Sequence, residues 1–237
     1  MPKLGVNVDH IATLRQARRG VFPDPVRAAL ICEEAGCNSI VAHLREDRRH
    51  INDDDVKRLK KCVKTRFNLE MSVSPEIVDI ACKLKPHQVT LVPEKRRELT
   101  TEGGLDVITR QIRLKKAIKK LSASGIEVSL FIDPDKKQIS ASVDSGAKII
   151  EIHTGRYADA RSNTQRDKYY KQIVTAVDFA GKLGLIVNAG HGLGYDNTRK
   201  IAEIEGIYEL NIGYSIICRS VFLGLKQAVK EMLCLTK

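Results

Sequence analysis

Tryptophan is absent, and the larger aromatic side chains are limited to six tyrosines and five phenylalanines. No basic stretch is interleaved with them. The stacking platform that single-stranded nucleic acids need is therefore missing. No apolar run approaches the ~20 residues of a membrane span. The N-terminus, Met1-Pro2-Lys3-Leu4-Gly5, leads straight into a strand pattern without a signal-peptide apolar stretch. The cysteines at 32, 37, 62, 82, 218 and 234 show no CxxC spacing. Several of them stand in apolar helical or strand contexts. They read as buried free thiols in a reducing compartment rather than as a disulfide or zinc framework, which predicts a cytoplasmic protein. No Ser/Gly/Pro-rich linker divides the 237 residues, so one domain spanning 1–237 is expected.

Negative charge is in short supply. Forty Lys and Arg face 29 Asp and Glu, for a formal net charge of +11. A nucleic-acid partner must be weighed against that excess. The basic clusters are dispersed, however, at Lys57-Arg58-Leu-Lys60-Lys61, Lys95-Arg96-Arg97 and Lys115-Lys116-Ala-Ile-Lys119-Lys120. The first and third carry apolar residues at helical spacing and read as solvated helix faces. Small anionic substrates explain a positive field equally well. Neither a nucleic-acid nor a membrane partner is expected. Hydrophobic residues make up 43% of the chain, enough for a sizeable core.

Eight short β-branched or apolar runs stand out, at 4–8, 39–42, 66–70, 88–92, 126–132, 147–152, 185–189 and 208–212. Helix-period segments separate them, among them 24–35, 53–64, 75–84, 112–123, 135–144, 164–182 and 215–233. Asp24-Pro25 and Ser74-Pro75 have the form of an N-cap followed by proline at the first helical position. Gly36, Gly125, Gly146 and Gly184 stand where helices end. Strict alternation implies an α/β fold with a parallel sheet and right-handed crossovers. Eight units at this length predict a closed (β/α)8 TIM barrel with eight parallel strands. An open doubly wound sheet is the alternative. It calls for a glycine-rich dinucleotide turn after the first strand, where Asp9-His10-Ile-Ala-Thr stands instead.

In a barrel of this kind, chemistry gathers at the carboxyl ends of the strands. Those ends carry Asn7, Asp9 and His10; His43 and Arg45; Glu70; Pro93-Glu94-Lys95; Asp133; Glu151 and His153; Asn188 and His191; Asn211 and Gly213. The densest stretch is 39–50, where Ile40-Val41-Ala42 runs into two histidines, three arginines and two acids. It reads as a loop that handles an anion and moves protons. Arg45 is expected to point inward, whereas Arg48 and Arg49 read as a solvated loop face. Thr100-Thr101-Glu102-Gly103-Gly104 could close over the anion. Gly190-His191-Gly192 and Asn211-Ile-Gly213-Tyr214-Ser215 follow the last two strands, where this fold commonly binds phosphate.

Glu70 is either a general base or a salt-bridge partner of a rim arginine. Arg18 is either a phosphate ligand or an exposed helix-end residue. His43, Glu70, Glu151 and His191 together suit several successive proton transfers. Two rival uses remain open. His10, His43, Glu151, His153 and His191 could ligate a metal, although no HxH or HExxH spacing occurs. Lys95 could form a Schiff base.

The strings Gly5-Val-Asn-Val-Asp9-His10-Ile-Ala-Thr-Leu-Arg15, His43-Leu-Arg-Glu-Asp-Arg-Arg-His50-Ile, Asn68-Leu-Glu70-Met, Leu91-Val-Pro-Glu-Lys-Arg96, Thr100-Thr-Glu-Gly-Gly104-Leu-Asp, Glu151-Ile-His-Thr-Gly155 and Asn188-Ala-Gly-His-Gly-Leu193 resemble the pyridoxine 5′-phosphate synthase family. That family belongs to the deoxyxylulose-5-phosphate-dependent vitamin B6 pathway, and the resemblance spans essentially the whole chain. It implies a (β/α)8 barrel with extra helices, assembled as a homo-octamer, with no metal and no organic cofactor. The implied reaction condenses 3-amino-2-oxopropyl phosphate with 1-deoxy-D-xylulose 5-phosphate to pyridoxine 5′-phosphate, phosphate and water. By the same resemblance, His43 and Glu70 accept protons, His191 donates one, and Glu151 stabilises a transition state. Asn7, Asp9, His10, Arg45, His50 and Thr100 would bind the deoxyxylulose phosphate. Arg18, Gly192, Gly213 and Tyr214 would bind the aminoketone phosphate. The family usually has histidine where Tyr214 stands, but a backbone N–H there can still hold phosphate. The resemblance removes Lys95 from consideration, because the imine forms between the two substrates.

Overall fold

The computed structural model describes residues 1–94 and 103–237. Thr100, Lys95, Arg96 and Arg97 lie outside these residues. Eight strands close on themselves in sequence order: β1 (Lys3–Asn7), β2 (Ser39–Leu44), β3 (Arg66–Met71), β4 (Gln88–Leu91), β5 (Glu127–Ile132), β6 (Ile149–His153), β7 (Ile186–Gly190) and β8 (Ile207–Ile212). Every pair is parallel, and β1 pairs with β8 to complete the ring. The protein is a (β/α)8 barrel.

Eleven helices lie among the described residues: α1 (Asp9–Arg18), α2 (Pro25–Ala35), α3 (Asp53–Cys62), α4 (Pro75–Leu84), α5 (Val107–Ala123), α6 (Lys136–Asp144), α7 (Gly155–Ala158), α8 (Asn163–Lys182), α9 (Thr198–Ala202), α10 (Tyr214–Leu223) and α11 (Leu225–Leu235).

Strand alternation sorts the side chains. On β3, Phe67, Leu69 and Met71 join the main apolar core, which also holds the helix residues Leu59 and Ile77. Asn68 and Glu70 alternate with them and face the barrel axis. The axis is polar: Gln88 Nε2 donates to Thr90 Oγ1, and Thr90 Oγ1 donates to Asn68 Oδ1 at 3.0 Å. The apolar core therefore sits between sheet and helices, and the barrel interior is left to polar chemistry.

The helix ends follow local rules in part. Asp24 accepts from Val26 N at 3.0 Å, and Pro25 opens α2. Asn52 and Asp55 form a reciprocal capping box on α3. Ser74 occupies the N-cap position of α4, but its side chain makes no capping bond. Gly36, Gly125, Gly146 and Gly184 all have positive φ at helix ends.

Several expectations need correction. Asp9 and His10, read as part of the first strand's carboxyl end, form the first turn of α1. The helix escaped notice because its cap residue, Val8, has no side-chain acceptor and its buried stripe includes the charged Arg15. The segment 215–233 is two helices, broken at Gly224, whose φ of 78° suits glycine alone. α5 begins at Val107, since Asp106 caps it by accepting from Thr109 N. The short α7 and α9 had no periodic signal. β2 continues to Leu44, so His43 lies within the strand rather than beyond it.

Arg15 organises the first two units. Its guanidinium donates to both carboxylate oxygens of Asp55 at 2.7 Å and to the His50 carbonyl at 2.9 Å. Both side chains are buried. The pair ties α1 to the start of α3 and pins the loop between them. Removing one partner of such a buried pair leaves a charge uncompensated. Arg15→Ala should cost about 3–5 kcal/mol of stability, read as a lowered urea midpoint in equilibrium unfolding.

Candidate active site

Parallel register places His43 on β2 directly beside Glu70 on β3. Asn7, at the end of β1, joins them to the first helix. Its Nδ2 donates to Asp9 Oδ2 at 2.9 Å and to Glu70 Oε2 at 3.4 Å, while its Oδ1 accepts from Asp9 N at 2.8 Å. The second Asp9 oxygen accepts from His43 N at 2.8 Å. The His50 ring lies edge-on to His43 with centroids 6.0 Å apart, and its Nδ1 accepts from Ile51 N. Asn7, Asp9, His43, His50 and Glu70 thus form one connected cluster.

Arg45 is buried beside this cluster and donates to Asp47, which Arg49 also engages. Burial favours a neutral Asp47, but the arginine hydrogen bonds overcome it and hold the carboxyl well below the usual range. Arg48 pairs with Asp53 and Glu76. Arg48 and Arg49 thus lie partly exposed on the loop and form ion pairs with exposed carboxylates there.

Across the mouth, Asn211 on β8 donates to Glu151 Oε2 on β6 at 2.7 Å. His153, two residues on, pairs through Nδ1 with Asp133 Oδ1 at 3.0 Å. Its ring is 5.0 Å from that of His191, and Phe131 lies against both. His191 holds φ at 79°, a strained value for a non-glycine residue. Thr154 Oγ1 secures it by donating to the carbonyls of Gly190 and His191. Gly213 caps α10, and a Cβ there would sit 2.8 Å from Asn7 Cβ, so only glycine allows this approach. Tyr214 is 67% exposed and meets His10 edge-on at 5.1 Å. Ser215 Oγ donates to the Leu193 carbonyl, tying the last two loops together. The N-terminus of α10 opens on this rim, a position that favours phosphate.

Burial dominates the electrostatics of the mouth. Burial, reinforced by Glu151 and Asp9, pushes the Glu70 carboxyl well above its ordinary value. Burial likewise raises Glu151, against the Asn211 hydrogen bond and with Glu209 adding to it. Burial and nearby His153 push His191 down to about 4. Burial also lowers His50. Burial thus moves the carboxyls towards neutrality and keeps His50 and His191 as neutral imidazoles.

One sequence candidate among the described residues stands away from the mouth on its own chain. Arg18 is exposed in the last turn of α1, about 13 Å along the axis from Asp9. Thr100 lies outside the described residues. The rival metal set, His10, His43, Glu151, His153 and His191, is not brought together as one group among the described residues. Among the described residues, the group spaced for a cation is Asp9, His43 and His50, with ligand atoms within 4.8 Å of one another. Sequence reasoning overlooked Glu94 and Asp133 as partners of His43 and His153. Both stood in the list of strand-end polar residues, the signal that could have found them.

The family described as "Pyridoxal phosphate biosynthesis protein PdxJ" matches residues 4–237. The chain belongs to the PdxJ family. It is 56% identical over 237 residues to "Pyridoxine 5'-phosphate synthase" of Geotalea uraniireducens, covering 100% of this chain and 99% of that protein. It is 56% identical over 232 residues to the protein of that name from Coxiella burnetii, covering 98% and 97%. A third PdxJ relative so named, from Blochmanniella pennsylvanica, is 55% identical over 229 residues, covering 97% and 94%. Among solved structures, KGPDC from Streptococcus mutans aligns with a TM-score of 0.66 at 14% identity over 100% of this chain and 97% of that one. A Thermotoga maritima phosphoribosylanthranilate isomerase aligns at 0.63 with 11% identity over 100% and 98%. These two likenesses show the barrel fold of the PdxJ chain and nothing of its reaction.

The raised Glu70 carboxyl makes a stability prediction. The fold favours its neutral form, so that contribution is complete below the carboxyl's unfolded value of ~4.3 and is lost as pH rises through the folded value. Glu70→Gln should therefore raise Tm at pH 8 by at least about 2 °C, the low end for ~1 kcal/mol in a chain of this size. At pH 4 the gain should vanish, as differential scanning calorimetry at the two pH values will show.

Proposed function

We propose that the chain is a pyridoxine 5′-phosphate synthase of the transferase class. It condenses 3-amino-2-oxopropyl phosphate with 1-deoxy-D-xylulose 5-phosphate, releasing pyridoxine 5′-phosphate, phosphate and water. The observation that carries this reading is the pairing of His43 with Glu70 at one end of the barrel, in a chain matched along its whole length by relatives of that name.

Ring closure requires imine formation between the substrates, loss of one phosphate, dehydration and carbon–carbon bond formation. Each step moves a proton. On this reading His43 and Glu70 are the acceptors, and their contact with Asn7 and Asp9 orients them. His191 donates. Burial and His153 lower its proton affinity, and an adjacent substrate phosphate would raise it. Glu151 stabilises developing positive charge. Asn7, Asp9, His10, Arg45, His50 and Thr100 hold the deoxyxylulose phosphate. Arg18, Gly192, Gly213 and Tyr214 hold the aminoketone phosphate, and the α10 N-terminus supports that assignment.

We also propose a single domain over 1–237, a homo-octamer and a cytoplasmic location. The free, buried thiols Cys32 and Cys37, raised by desolvation, support a reducing compartment. Helices α1 and α10 pack against each other; the segment after α1 exposes Phe22 (71%), and the last turn of α10 exposes Phe222 (85%). Such apolar exposure supports association. Arg18 stands one helical turn beyond the exposed Leu14 on α1, so association through this face could bring it to a neighbouring subunit's mouth.

Incubating the protein with both phosphorylated substrates should yield pyridoxine 5′-phosphate, detected by mass spectrometry; no product from authentic substrates would defeat the reading. His43→Ala and Glu70→Gln should each lower kcat by about 10²–10⁴-fold with circular dichroism unchanged. Phe222→Glu should shift the sedimentation coefficient towards smaller assemblies.

A further inference from the structure

His43 is held at two points. Its backbone N–H donates to Asp9, as described, and its ring Nε2 lies 2.9 Å from Glu94 Oε1. Glu94 follows β4, two strands away from β2. Its side chain is only 6% exposed, and its other oxygen accepts from Glu46 N at 3.0 Å. Glu46 in turn accepts from Ser72 Oγ at 2.6 Å. Burial favours a neutral Glu94, but the His43 and Glu46 hydrogen bonds outweigh it and hold its carboxyl below the ordinary value. Glu94 is therefore ionised at neutral pH.

An ionised carboxylate has no proton to give, so it only accepts. Nε2 of His43 must then be the donor. A neutral imidazole carries one N–H, which leaves the lone pair on Nδ1. Nδ1 makes no hydrogen bond among the described residues. The ring also offers an atom within 4.8 Å of the Asp9 carboxylate and the His50 ring, so it borders the cluster that the substrate would meet.

We propose that Glu94 is a positioning residue that fixes His43 in its Nε2–H tautomer and makes Nδ1 the proton-accepting atom. This rests on the reading of His43 as a base. When Nδ1 takes a proton from substrate, Nε2 keeps its own and the ring becomes an imidazolium. Glu94 offsets that new charge across the existing hydrogen bond, as an orienting carboxylate does for histidine bases elsewhere. Because Glu46 N holds the other carboxylate oxygen, Glu94 is fixed in place, and the ring cannot rotate to present Nε2 without losing its hydrogen bond to Oε1.

Magic-angle-spinning NMR of wild-type protein selectively 15N-labelled at histidine reads the tautomer without turnover, with His43 assigned by comparison with His43→Gln. The expected spectrum has His43 protonated on Nε2 and bare on Nδ1. In Glu94→Gln, whose amide can both donate and accept, both tautomers should appear. The kcat of that variant should fall about 10–100-fold, with KM for both substrates within about twofold of wild type. A His43 proton on Nδ1 in the wild type would overturn the proposal, and so would a Glu94→Gln kcat within twofold of wild type. Wild-type turnover in the same assay tests the reaction itself, so the two failures are distinguishable. If Glu94→Gln does not fold, the wild-type spectrum still decides.

Discussion

Closure of the sheet, β8 against β1, is the constraint on which the mouth depends. A closed ring of eight parallel strands leaves no free edge and fixes each strand's register against two neighbours. Side chains on the inner face then have one axis to share. Asn211 and Glu151 come from different quarters of the chain, yet hydrogen bond at 2.7 Å because their strands flank β7. His43 and Glu70 meet because β2 and β3 pair in register. An open sheet would keep these neighbours but would part Asn7, at the end of β1, from Gly213, which follows β8 and lies against it.

The closed ring also decides where hydrophobic energy is gained. Leu, Ile, Val and Phe side chains fill the layer between sheet and helices. That layer carries the stability, and the inner face is released from packing duty. Carboxyls such as Glu70, Glu151 and Glu209 can then be buried, at a cost registered as raised proton affinity. The same cost makes the groups useful. A carboxyl raised towards neutrality can hold or release a proton there, as an ordinary surface carboxylate does not. Catalytic potential is thus held in groups that the fold would be more stable without.

Much of this was legible in the residues. Glycines 36, 125, 146 and 184 marked helix ends, because positive φ leaves few alternatives to glycine. His43, Glu70, Glu151 and His191 were recognisable because each interrupts or follows an apolar run at a strand exit. What escaped notice had no local signature. α1 lacks a side-chain cap and buries an arginine, so its pattern did not look helical. Arg15 finds Asp55 forty positions away, and His43 finds Glu94 fifty-one away. Neither pairing leaves a trace in nearby sequence, because ion pairs depend on distance in space.

By itself, the sequence determined the alternation of strands and helices, the parallel barrel that alternation requires, and the set of titratable residues at one rim. These follow from periodicity and turn chemistry, which act over a few residues. The tertiary structure alone decided which of those residues touch. It joined Asn7, Asp9 and Glu70, anchored Arg48 and Arg49 in ion pairs, set Arg18 apart on an exposed turn, and gave His43 its carboxylate. Contacts of this kind depend on barrel register and on how each loop folds back over the rim, and both are settled only when the ring has closed.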